Sequence, residues 1–108
     1  MLFRSEAPAT VFIVNTDNSL DLEQSLEEKF YELSNIQSLG ASIENMILEA
    51  TELGIGSLWI CDVYSAYDGL CRWLGVETQL LAAVSFGYAP EWPEPRPRKD
   101  LDEIVEWR

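Results

Sequence analysis

Residues 38–62 read SLGASIENMILEATELGIGSLWICD, and how this stretch is read decides the fold. Apolar side chains recur at Ile36, Leu39, Ile43, Met46, Ile47, Ala50 and Leu53, three and four residues apart, the period of one helix face. Gly54-Ile55-Gly56 follows, and glycine takes the left-handed C-cap conformation at little cost, so the helix is expected to stop there. Ser57-Leu58-Trp59-Ile60-Cys61 is a short apolar run of the kind that makes a buried strand. The stretch predicts a core helix over 35–53, capped by Ser34 or Asn35, then a glycine turn and an inner strand over 56–61. Gly40, Ala41 and Ser42 make part of the helix narrow. Glycine inside a helix costs about 1 kcal/mol relative to alanine, and a tight helix–helix or subunit contact is the simplest reason to carry it.

Upstream, ATVFIVN (9–15) is rich in β-branched and aromatic residues and reads as a buried strand. A turn follows over 15–18. Residues 17–33 carry six acids against Lys29 and read as an acidic loop with a solvated surface. Within it, Leu22, Leu26, Phe30 and Leu33 suit a short helix over 22–33. Met1-Leu-Phe-Arg-Ser5 is what ATG CTC TTC CGA TCT encodes, a string resembling the end of a sequencing adapter. Residues 1–5 are therefore expected to be a non-native leader on a reading frame cut upstream, the alternative being a frayed native terminus. Downstream, a helix is expected over 65–74, with Tyr67, Leu70, Cys71 and Leu74 inward and Gly75 closing it. A second inner strand is expected over 79–88. The tail, 89–108, is extended by Pro93, Pro95 and Pro97, and ends in a short helix or strand anchored by Leu101, Ile104 and Trp107.

A chain of 108 residues supports one domain at most. The net charge of −12 argues against nucleic acid and anionic membrane as partners, since both need a basic surface. With no histidine, a Ser-His-Asp or Cys-His site is impossible within the chain, and the commonest metal ligand is missing. Cys61 and Cys71 lie among apolar residues without CxxC spacing, which suits a reduced, cytoplasmic setting. The longest uncharged run, 78–90, is too short to span a bilayer, and the first residues do not read as a secretory signal.

Two constellations carry chemistry. Arg96-Pro97-Arg98-Lys99 gathers three of the seven basic residues into four positions. Proline keeps the backbone extended, so Arg96 and Arg98 project on the same side, and paired guanidinium forks suit a phosphate or carboxylate. The alternative is a surface patch offsetting Glu91, Glu94 and Asp100. The second is the strand end Trp59-Ile60-Cys61-Asp62, where ligands commonly reach backbone N–H groups. Here Asp62 would otherwise be a helix cap, with Trp59 and Ile60 plain core. No cation near Cys61 in sequence activates it as a nucleophile. Asp100, Asp102 and Glu103 match no metal loop and read as solvated charge, so no metal site is expected.

Taken together, NIQSLGASIENMILEATELGIGSLWICD (35–62) and LLAAVSFGYAPEWPEPRPRKDLDEIVEWR (80–108) closely resemble the C-terminal half of the FMN-dependent nitroreductase family. The linked hallmarks are a helix A-S-I-x-N-M-x-L-x-A, then L-G-x-G-S-x-W-I, then A-x-x-x-G-Y and a proline-rich R-x-R tail, with APATVFIVN matching the preceding strand. The resemblance implies an α+β sandwich with a mainly antiparallel sheet, present as a partial domain over 6–108, and FMN at a homodimer interface. It implies hydride passing from NADH or NADPH through FMN to nitroaromatic, quinone or flavin-like acceptors in a ping-pong cycle. By position, Arg96 and Arg98 match the cations on the FMN phosphate. Trp59, Ile60, Cys61 and Asp62 match the segment against the isoalloxazine ring, with an N–H at Cys61 or Asp62 approaching its N5/O4 edge. The family's N-terminal arginine/serine motif, the polar residues on the pyrimidine side and the first interface helices are absent. Truncated and impaired flavin chemistry is therefore expected, the alternative being a non-catalytic dimerisation or binding module that keeps the fold without flavin.

Overall fold

The computed structural model describes residues 7–19 and 22–108, so the expectation for residues 1–5 lies outside the described residues. Strand β1 (Ala9–Asn15) is followed by helix α1 (Leu26–Glu52), strand β2 (Gly56–Ile60) and a 3-10 turn (Tyr64–Ala66). Helix α2 (Tyr67–Leu74), strand β3 (Gln79–Gly87) and the short helix α3 (Leu101–Ile104) complete the chain. Helices combined with a three-stranded antiparallel sheet of order β1-β3-β2 make an α+β fold, the class expected from the sequence.

Helix α1 corrects the expected pair of helices over 22–33 and 35–53, because it is one continuous element of 27 residues. Its N-cap is Ser25, not Ser34 or Asn35. The Ser25 side chain accepts from the Glu28 N–H, and the Glu28 carboxylate accepts from the Ser25 N–H, a reciprocal capping box. Hydrogen bonding to the Ser25 side chain and to its backbone N–H holds the Glu28 carboxyl below the usual carboxylate range. Ser34 and Ser38 instead donate back to the carbonyls of Phe30 and Ser34, one helical turn earlier. Asn35 is turned sideways and donates to Asn18 Oδ1. A serine or asparagine in a helical pattern is thus ambiguous between cap and interior until its partner is known.

The helix ends where glycine predicts. Gly54 sits at φ +72°, its N–H donates to Thr51 O, and the Ile55 N–H reaches back to Ala50 O at 2.8 Å. That pair of bonds is a Schellman motif, which satisfies carbonyls the helix end would otherwise orphan.

The sheet is covered on both faces. Ile13, Ala82 and Val84 pack with Ile43 of α1, supported by Leu39, Met46 and Ile47. Leu80, Ala83 and Val63 form a second cluster with Phe12, Val14, Ile60 and the α2 residues Tyr67, Leu70, Cys71 and Leu74. Leu80 and Ala83 share a face although they are three positions apart. The cause is a bulge: Ile13 pairs with Ala82 but Val14 pairs with Leu80, leaving Leu81 as the extra residue. An extra residue reverses the in–out alternation, so Leu81 joins the α1 side and Leu80 the α2 side.

Among the described residues, only β3 is an inner strand. β1 and β2, both expected to be buried, form the two edges of the sheet, and Leu58 and Trp59 of β2 are exposed at 37% and 38%. β2 also stops at Ile60, leaving Cys61 outside the strand and exposed to solvent rather than in apolar surroundings. An apolar run shows that side chains can be buried, but not that neighbours exist to bury them.

Polar bonds close one end of the sheet. Asn15 and Gln79 are each 3% exposed, and Asn15 Nδ2 donates to Gln79 Oε1 and to Asn18 Oδ1. Gln79 Nε2 donates in turn to the Glu32 carboxylate of α1, and the Gln79 N–H to Asn18 O.

Candidate functional site

The strand end is positioned by its own neighbours. Ile60 pairs with Ala83 and packs in the α2-side cluster, and the buried Val63 holds the chain down two residues past Cys61. Between these anchors the chain turns, with the Val63 N–H donating to Cys61 O at 2.9 Å. Cys61 and Asp62 are exposed at the apex. Among the described residues, neither the Cys61 N–H nor the Asp62 N–H makes a backbone hydrogen bond. Two backbone donors at an exposed strand end can donate to ligand oxygens or ring nitrogens without breaking any bond of the fold.

Trp59 points to the α1 side. A Cβ added to Gly40 would meet its ring at 3.9 Å, an ordinary van der Waals distance. The narrow part of α1 is therefore occupied within the chain by this indole, where a helix–helix or subunit contact was expected. Asp62 is not a side-chain cap: neither the 3-10 turn nor α2 has a side-chain hydrogen bond at its N-cap. Its carbonyl accepts from Ser65 Oγ at 3.2 Å, which ties the turn back to the strand end.

The structure does not bring the second constellation onto the first. Arg96 and Arg98 lie in the segment between β3 and α3, where residues 91–100 are exposed throughout. Because Gly87 pairs with Gly56, the tail leaves β3 beside the start of β2, roughly 14 Å along the strand from Ile60. The nine residues 88–96, if extended, span roughly 30 Å. Among the described residues no carboxylate lies within 4.0 Å of either arginine, so the patch does not work by pairing with Glu91, Glu94 or Asp100.

An aromatic pair beside the strand end went unnoticed in the sequence. Tyr64 and Tyr67 stack with ring centroids 5.7 Å apart and planes 9° apart. The Tyr67 hydroxyl accepts from the Leu80 N–H at 3.0 Å, and burial pushes its phenol up from the ordinary value, keeping it neutral. The i, i+3 spacing was the available signal, although Tyr67 was read only as core. Among the described residues no group of cysteines and carboxylates gathers as metal ligands, and no helix is long and apolar enough to cross a membrane.

The donor chemistry fits a flavin phosphate and ring: two guanidinium groups without carboxylate partners and two unengaged N–H groups at the end of β2. Residues 3–88 match the sequence model of the family described as Nitroreductase family, which covers β1 through β3 and the strand end but stops short of Arg96 and Arg98. A search of curated proteins finds no match. With most of its length matched, the chain belongs to the nitroreductase family of oxidoreductases.

Proposed function

We propose that the chain contributes an FMN site to an NAD(P)H-dependent oxidoreductase that reduces nitroaromatic, quinone or flavin-like acceptors in a ping-pong cycle, as a homodimer in the cytoplasm. The observation that carries this reading is the family match across the strand end with its unengaged N–H groups. FMN, when bound, supplies the hydride and electron transfer. The Cys61 and Asp62 N–H groups donate to acceptor atoms at the ring edge, where negative charge collects on reduction, and Trp59 and Ile60 hold that edge of the sheet. Arg96 and Arg98 hold the phosphate. In a chain of net charge −12 a phosphate dianion is repelled at long range, so local cations must outweigh the field. A second copy of the chain supplies cover for the exposed Leu26, Phe30 and Leu33 on α1.

Flavin absorbance followed across a size-exclusion peak tests the reading. A yellow dimer that oxidises NADH or NADPH supports it, whereas a colourless dimer indifferent to added FMN means a binding module without redox chemistry. Charge-assisted bonds contribute about 1.5–3 kcal/mol each. Arg96→Ala combined with Arg98→Ala should therefore weaken FMN binding by at least about 100-fold. An unchanged FMN titration removes both arginines from the site.

A further inference from the structure

We propose that Tyr64 is the stacking platform for the electron acceptor, and that it takes uncharged planar rings, nitroarenes or quinones, in preference to anionic ones. The redox role rests on the function proposed above; the ring-binding role rests on the geometry of residues 62–69. Tyr64 opens the 3-10 turn two residues after Asp62, and the bond from Ser65 Oγ to the Asp62 carbonyl fixes that turn against the strand end. Among the described residues the Tyr64 ring has one stacking partner. It stacks on Tyr67, which is immobilised by the Leu80 N–H and by packing against the α2-side cluster. Tyr64 remains 54% exposed. A rigid aromatic face left open to solvent gains dispersion and apolar burial from a second planar ring, with little ordering cost because its orientation is already set.

The surroundings supply the space and the selectivity. A concavity lined by Tyr64, Ser65, Ala66, Tyr67, Asp68 and Gly69 opens beside the ring, and a Cβ built at Gly69 would meet nothing within 4 Å. Among the described residues, the one carboxyl lining it is that of Asp68, in a chain that is already strongly acidic. A carboxylate or sulfonate on the incoming ring is opposed by both, and a neutral nitro or quinone oxygen is not.

The test uses the full chain and a matched pair of probes, neutral 4-nitrobenzyl alcohol and anionic 4-nitrobenzoate. Binding is followed by NMR of selectively labelled tyrosine rings, with FMN titrated separately into the same samples. The alcohol should shift the Tyr64 resonances and bind more tightly than the benzoate. Tyr64→Leu should weaken alcohol binding about fivefold, the scale of one stacking contact, and Tyr64→Phe should restore it. FMN affinity should be equal in all three proteins. Equal alcohol binding by Tyr64→Leu and Tyr64→Phe, or no shift of Tyr64 in the parent chain, overturns the platform. Failure of the parent chain to take up FMN overturns the flavin reading instead, and leaves the ring-binding result standing on its own.

Discussion

The two halves of α1 are held to the protein by different forces. From Leu39 to Glu52 the helix buries Ile43, at 2% exposure, and Ala50, with Leu39, Met46 and Ile47 packed around them. From Leu26 to Ser38 it buries no residue fully. That half is fixed by the capping box and by directed polar bonds, Glu32 to Gln79 and Asn35 to Asn18, while Leu26, Phe30 and Leu33 face solvent. Apolar packing is undirected and sums over many contacts, whereas each hydrogen bond contributes about 1 kcal/mol net and depends on geometry. One helix can therefore be continuous in its backbone and still consist of a firm half and a conditional half. Trp59 lies against the helix at Gly40, where the two regimes meet.

Substitutions separate the halves by size of effect. Ile43→Ala should cost about 3 kcal/mol in urea unfolding, the range for an aliphatic deletion in a packed core, and should loosen the whole helix. Gln79→Ala should cost about 2 kcal/mol, because Asn15 and Glu32 both lose a partner at a buried site. Hydrogen exchange should show that loss in residues 26–38 before residues 39–52; uniform loosening of the helix would contradict the division. Ser25→Ala should cost about 1 kcal/mol and fray only the first turn, which circular dichroism and exchange can both follow. The smallest effect is that of acid. Glu28 has its carboxyl lowered in the folded state, so its contribution is present above the unfolded carboxylate range and is lost as pH falls through the lower folded value. First-turn amides should exchange faster across that acidic window in the parent and not in Glu28→Gln, which keeps an uncharged acceptor.

The same division marks what could be read from the sequence. The packed half was legible, because Ile43, Met46, Ile47 and Ala50 keep the helical period and Gly54 announces the end. The Ser25-x-x-Glu28 signature of the true start was present in the sequence but was overlooked in favour of Ser34 and Asn35, whose roles depend on Phe30 and Asn18. The network of Asn15, Asn18, Asn35 and Gln79 joins residues up to 64 positions apart and has no local pattern. At the candidate site, Trp59 to Asp62 stood out as a strand end, but nothing local showed that β2 lies at a sheet edge with Trp59 over Gly40. The i, i+3 spacing of Tyr64 and Tyr67 allows their stack but does not show that Tyr67 is anchored by the Leu80 N–H, a contact 13 residues away. Arg96 and Arg98 were conspicuous by charge, and the antiparallel pairing of Gly56 with Gly87 then sets their segment's departure at the far end of β2.

The extra residue at Leu81 also works as a phase shifter. β3 keeps one alternation from Ala82 onward, serving β2 and most of β1, and the opposite alternation before it. β2 stops at Ile60, opposite Ala83, before the chain would reach the position facing Leu81, and it turns away there with the N–H groups of Cys61 and Asp62 unspent. Deleting Leu81 would bring the two alternations into step and let β1 and β3 pair without interruption from Ala9 to Asn15.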